Sequence, residues 1–118
     1  YFLRCYTCNN YYSFYINSNF LKMKIQVQQM LSNNDNPVKN QFIIYQNNDI
    51  YFQSYNSIIC KIDKNNNLIL DSFYWDYSRT TSKYLYSFIE RFKGYRPNKK
   101  YIYDLIKNKQ IKLTDLNK

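Results

Sequence analysis

The stretch QFIIYQNNDIYFQSYNSIICKIDKNNNLILDS, residues 41–72, decides the fold. Apolar and β-branched runs at 41–46, 50–55, 57–63 and 67–72 are each short, and polar residues suited to turns separate them. Asn47-Asn48 joins the first pair, and Lys64-Asn65-Asn66 joins the last. In a chain with one glycine, asparagine is the residue that enters positive φ most readily, so both junctions read as hairpin turns. Within 57–63, Ile58, Cys60 and Ile62 alternate with Ser57, Ile59, Lys61 and Asp63, mostly a half-buried pattern. The reading is an antiparallel meander of three to four strands.

Downstream the period lengthens. After the aromatic knot Phe73, Tyr74, Trp75 and Tyr77, the residues Thr81, Leu85, Phe88 and Phe92 fall on one face of a helix, with Ile89 beside them. Gly94 stands where a helix over 79–93 needs a left-handed cap. The loop YRPNKK (95–100) leads to a second helix over 99–109, capped by Asn98 and striped by Ile102, Leu105 and Ile106. Residues 110–118 add a short strand or fray. Upstream, Met23, Val27, Met30 and Leu31 repeat at helical spacing and predict a further short helix, ended by the run from Ser32 to Pro37. The fold class is therefore α+β, with two to three helices packed on the meander.

At 118 residues the chain has room for one core and one domain. Residues 1–22 have no acidic side chain and a texture of their own, and Met23 follows at once, which marks 1–22 as an uncertain N-terminal extension before a domain over 23–118. That extension could be upstream reading frame, a leader or true sequence; if folded, its aromatics would cover the core. No window approaches 18 uncharged apolar residues, so no transmembrane helix is expected. Three cysteines, Cys5, Cys8 and Cys60, are too few for a disulfide scaffold and favour a reducing compartment. Cys5 and Cys8 form a CxxC, yet without a second pair or any histidine no metal site is expected. The lack of histidine also removes Ser–His and Cys–His nucleophilic chemistry. Carboxylate catalysis by Asp63, Asp71 and Asp76, aided by Lys61, would need a nuclease spacing that is absent. Neither an enzymatic activity nor a cofactor is expected.

The charge is +9, and residues 79–118 hold eleven of the seventeen cations against three carboxylates. Abundant Asn, Lys, Ile and Tyr indicate AT-rich codon usage, which inflates lysine without choosing where it falls. Segregation of this kind points to an acidic partner. Arg79, Lys83, Arg91, Lys93, Arg96, Lys99, Lys100 and Lys107 are interleaved with Tyr84, Tyr95 and Tyr101. Cations release counterions from phosphates and exposed rings stack on unpaired bases, so these residues are candidate contacts to RNA or single-stranded nucleic acid. Arg79 and Lys83, four apart at the start of the predicted helix, lie on one side of it and could meet a phosphate there. The competing role of Ser78 or Thr80 is simply to cap that helix.

The phrase YFQSYNSIICKIDKNNNLILDSFYWDYSRTTSKYLYSFI, residues 51–89, resembles a family of small phage and prophage proteins of low-GC bacteria. Phe52, Ser54, Tyr55, Ser57, Ile58, Ile62, Asp63, Leu70, Asp71 and the run from Tyr74 to Leu85 carry the resemblance. It implies an accessory protein acting in the cytoplasm of a bacterial host, with no catalytic residues to carry over, and points toward counter-defence of the anti-CRISPR type against a Cas ribonucleoprotein. Members of that family usually end soon after the helix, which makes 93–112 an addition of this chain. The alternative is a protein–protein module whose tyrosine-rich surface forms a homodimer or joins a larger assembly, such as an organellar ribosome.

Overall fold

The computed structural model describes the backbone of residues 2–6, 11–17 and 22–118, and side chains from residue 25 onward. The strands are β1 (Phe2–Tyr6), β2 (Tyr11–Asn17), β3 (Lys22–Leu31), β4 (Pro37–Gln46), β5 (Asp49–Ser54), β6 (Ser57–Ile62) and β7 (Leu68–Asp71). Helices α1 (Arg79–Lys93) and α2 (Lys99–Lys107) follow, and β8 (Lys112–Thr114) ends the order. All eight strands form one sheet in sequential order. Every neighbouring pair is antiparallel except β7 and β8, which run parallel because the two helices carry the chain back to the start of the edge.

The α+β class holds, with a longer meander and two helices among the described residues. The turns form where asparagine permits them: Asn47 and Asn48 have φ of 52° and 70°, and Asn66 has 65°. Gly94 caps α1 at φ 80°, donating its N–H to the Glu90 carbonyl, while the Asn98 side chain accepts from Tyr101 N–H and caps α2. Tyr55 at φ 55° in the β5–β6 turn is unforeseen, and its N–H donates to the Asn40 carbonyl at 2.7 Å. The parallel edge strand β8 answers the expectation for 110–118.

The helix expected over 23–31 is a correction: that segment is β3. Its stripe at Met23, Val27, Met30 and Leu31 also fits a strand, since Met23, Ile25 and Val27 alternate with Lys22, Lys24 and Gln26. The pattern then breaks because a bulge between Gln29 and Leu31 shifts the register against β4. β2 pairs with β3 and β1 with β2, so part of residues 1–22 extends the sheet. Whether their aromatic side chains cover the core lies outside the described residues, as does the Cys5–Cys8 pair.

The core is a row crossing the sheet. Ile43, Phe52, Cys60 and Leu70 are directly paired across β4 to β7, and all are fully buried. Against them α1 sets Leu85, Phe88 and Ile89, with Phe88 stacked on Phe52 at 5.7 Å, while α2 contributes Ile102. Both helices lie on this face. The opposite face presents Val27, Ile44, Tyr51, Lys61 and Ile69, paired in another row and partly exposed. Burial pushes the Cys60 thiol far above its ordinary range, so it behaves as a small apolar side chain.

Two consequences can be measured. Gln41 is 1% exposed, and neither amide atom has a hydrogen-bond partner among the described residues. An unpaired buried amide is costly, so Gln41→Met should raise stability by about 1 kcal/mol, seen as a higher urea midpoint. At the β6–β7 turn, the Asn67 N–H, followed by the Asn67 side chain and the Asn65 N–H, holds the Asp63 carboxyl below the usual carboxylate range. Its folded pKa lies below its unfolded one, so this stabilisation is complete above the ordinary carboxylate pKa and lost as pH falls through the folded value. Asp63→Asn should therefore flatten the acid side of a melting-temperature profile.

Candidate nucleic-acid interface

The site is built from the turn that links β7 to α1. Asp71, 1% exposed, ends β7 and uses both carboxyl oxygens as acceptors. Oδ2 accepts the N–H groups of Phe73 (3.0 Å) and Tyr74 (2.7 Å). Oδ1 accepts Leu116 N–H (2.9 Å) and Asn117 Nδ2 (3.0 Å). Trp75 turns inward against Tyr103, and the chain then reaches Ser78 in extended conformation. Ser78 Oγ accepts Thr81 N–H at 3.1 Å and donates to Thr81 Oγ1, which also meets Ser54 Oγ on β5 at 3.1 Å. The capping role at this helix start belongs to Ser78, and the hydroxyl chain pins α1 to the sheet.

With Thr81, Leu85, Phe88 and Ile89 facing the sheet, the 3.6-residue period turns Arg79, Lys83 and Glu90 outward along one stripe, with Tyr86 half-buried on it and packed against the core. Arg96, in the loop after α1, and Lys99, at the start of α2, fold back beside that stripe. Together Arg79, Lys83, Arg96 and Lys99 line an open groove of about 710 Å³, with Tyr77 and Tyr86 in its walls and Asp76 as its one acid. A second cleft, about 370 Å³, continues past Lys83 and Arg96 to Ser32, Asn33 and Glu90.

The four cations differ in how they are held. Lys99 Nζ lies 2.8 Å from the Asp76 carboxylate, whose hydrogen bond and charge push the Lys99 pKa upward. Arg96 reaches Glu90 at 3.2 Å and Ser87 Oγ at 3.1 Å. The Arg96–Glu90 pair is exposed and the Lys99–Asp76 pair partly so, and pairs of this kind contribute little to stability. Arg79 and Lys83 have no carboxylate partner among the described residues. Burial pushes the Tyr86 hydroxyl upward in pKa, so it stays a neutral donor in the groove wall. The cleft of about 540 Å³ at the β4–β5 turn, lined by Gln26, Tyr45, Asn47, Asn48 and Asp49, has no cation among its described lining residues, and Asp49 lies 3.7 Å from Lys61 Nζ.

The other candidate residues do not converge here. Arg91 reaches across to Gln28 Oε1 at 3.3 Å and sits over the Phe92 ring. Lys93 donates to the Asn66 carbonyl at 2.6 Å, near Tyr95 and Tyr101, whose rings meet edge to face at 5.6 Å. Burial raises the Tyr95 pKa, and both Tyr95 and Tyr84 pack against the core. Lys100 and Lys107 lie exposed on α2. The most exposed rings near the groove are Tyr77, 67% exposed and in its wall, and Phe73, 70% exposed and 6.2 Å from Tyr77. The sequence signal for them was the aromatic knot 73–77, too long in rings for a turn to bury.

The three acids considered for catalysis are engaged in the fold: Asp71 by four donors, Asp63 by its turn, and Asp76 by Lys99.

A family model described as a family of unknown function, DUF8033, matches residues 25–104. The chain belongs to that family. No curated protein and no solved structure matches the chain. The DUF8033 region takes in the whole groove from Asp76 to Lys99, and it includes the basic segment as far as Asp104.

Removal of the cap loosens the start of α1 and its hydroxyl link to β5. Ser78→Ala is expected to cost about 1 kcal/mol in thermal unfolding, and Ser78→Asp, which keeps an acceptor, is expected to recover most of it.

Proposed function

We propose that the protein binds nucleic acid through the groove between α1 and the start of α2, without a catalytic step. The observation that carries this is the convergence of Arg79, Lys83, Arg96 and Lys99 on one open groove, two of them with no carboxylate partner among the described residues. Unpaired cations held close together repel each other unless an anion lies between them. A polyanion suits the groove better than a single phosphate, because the cleft beyond Lys83 and Arg96 lengthens the path. Phosphate oxygens can also take over the Lys99–Asp76 and Arg96–Glu90 pairs at small cost, since the first is partly exposed and the second exposed. In the setting that the resemblance to phage accessory proteins implies, a bacterial host cytoplasm, occupancy of the groove by the guide or target strand of a host Cas ribonucleoprotein would block that complex by occlusion, as an anti-CRISPR inhibitor does.

Arg79 and Lys83 make no ion pair among the described residues, and the Lys83 ammonium meets only the Tyr84 ring at 5.4 Å, so their reversal tests binding with little cost to the fold. For a fluorescent RNA or DNA oligonucleotide followed by anisotropy, Arg79→Glu with Lys83→Glu should weaken affinity at least tenfold. The slope of log K against log salt should fall by about one per lost contact. Arg91→Glu and Lys107→Glu, away from the groove, should change little. Affinity that is indifferent to salt and to the groove pair rules the reading out.

A further inference from the structure

The turn Phe73–Tyr77 stands beside the cationic groove, and its exposed rings are unexplained by the fold. Phe73 and Tyr77 are the most exposed large hydrophobic side chains among the described residues. Neither is loose. The Asp71 carboxyl accepts the backbone N–H groups of Phe73 and Tyr74, Trp75 N–H donates to the Asp71 carbonyl, and Tyr77 N–H to that of Tyr74. Trp75 is buried at the centre of the turn, so the backbone that carries the two outer rings is anchored from within. The rings brace one another: Phe73 meets Tyr74 at 4.7 Å and Tyr77 at 6.2 Å, and Tyr74 meets Tyr77 at 5.5 Å. Tyr77 is itself part of the groove wall, two residues from Arg79.

The Tyr77 ring lies in the groove wall with the four cations, and the Phe73 ring, which lines a neighbouring opening with Asp115 and Lys118, sits 6.2 Å from it. Flat apolar faces fixed in water beside cations suit a phosphate chain carrying free aromatic bases. We propose that Phe73 and Tyr77 form a stacking platform for unpaired bases, which makes the ligand of the groove a single strand. This inference rests on the groove reading above and specifies it. In a duplex the bases are already stacked on each other and their faces are closed to the platform; in a single strand the phosphates lie along Arg79 and Lys83 while a base turns onto the rings. Sequence preference should be slight, because every base has a π-face.

The test uses the full chain and a 12-residue oligothymidylate with one central 2-aminopurine, whose emission is quenched when it stacks. The wild type should quench it and should prefer it to the same sequence in a duplex. Phe73→Ala and Tyr77→Ala should each weaken binding about tenfold and remove the quenching, while the salt slope stays unchanged and the chain stays folded by circular dichroism. Tyr77→Phe, which keeps the ring, should retain both. If the alanine variants bind and quench as the wild type does, while Arg79→Glu with Lys83→Glu binds poorly, the platform is refuted and the groove reading stands. If the wild type and the charge-reversal variant alike fail to bind, the groove reading falls and the platform with it. If the alanine substitutions turn a dimer into a monomer in sedimentation without altering oligonucleotide binding, the rings form a protein interface and the proposal is wrong.

Discussion

One buried carboxyl group governs the arrangement of everything after the meander. Asp71 receives four donors, two from the turn that follows it and two from the C-terminal segment 116–117. Two oxygens offer about four lone-pair directions, and all are used. The same residue thus fixes the direction in which the chain leaves β7, the position of Ser78 at the start of α1, and the docking of the tail beside β8. The core row Ile43, Phe52, Cys60 and Leu70 sets the plane on which α1 lies. Asp71 sets where α1 begins, and with it which side chains look outward.

The division of labour along α1 follows from that start. Its first turn is pinned through the hydroxyls of Ser78, Thr81 and Ser54, and its middle by the Phe52–Phe88 stack. The outer face carries Arg79 and Lys83 among Tyr86, Ser87 and Glu90. Arg91 falls on the flank toward β3 and bonds Gln28, so a cation adjacent in sequence to the groove stripe points elsewhere. The positive charge of the C-terminal third is thereby divided into a convergent set and a scattered one.

Much of this was legible in the residues. Asn47-Asn48, Asn66 and Gly94 are where positive φ is needed, and α1 was readable to its ends because its cap, period and stop all agree. β3 was not, because Met23 to Leu31 satisfies two periods and a bulge interrupts the strand pattern where it would have decided the matter. Its polarity is also inverted: Gln28 is buried, since it faces the helices and meets Arg91, while Ile25 and Val27 face the other side. The groove was half legible. Charge segregation pointed to the right third of the chain, but the fold-back of Arg96 and Lys99 onto Arg79 and Lys83 depends on the angle between two helices. Of the tyrosines interleaved with the cations, Tyr84 and Tyr95 pack inward while Tyr101 stays exposed beside Tyr95, and the two most exposed rings lie in a turn, where no periodicity marks them.

In the proposed function, the turn after Asp71 and the outer stripe of α1 make a single surface for a nucleic-acid strand. Amide shift mapping of the full chain by NMR during titration with an unlabelled single-stranded oligonucleotide tests it most directly. Perturbations should concentrate at 73–83 and 96–99, with the cleft at 46–50 silent. Perturbations centred on that cleft or on the open sheet face around Ile44 and Tyr51, or none at saturating oligonucleotide, would contradict it.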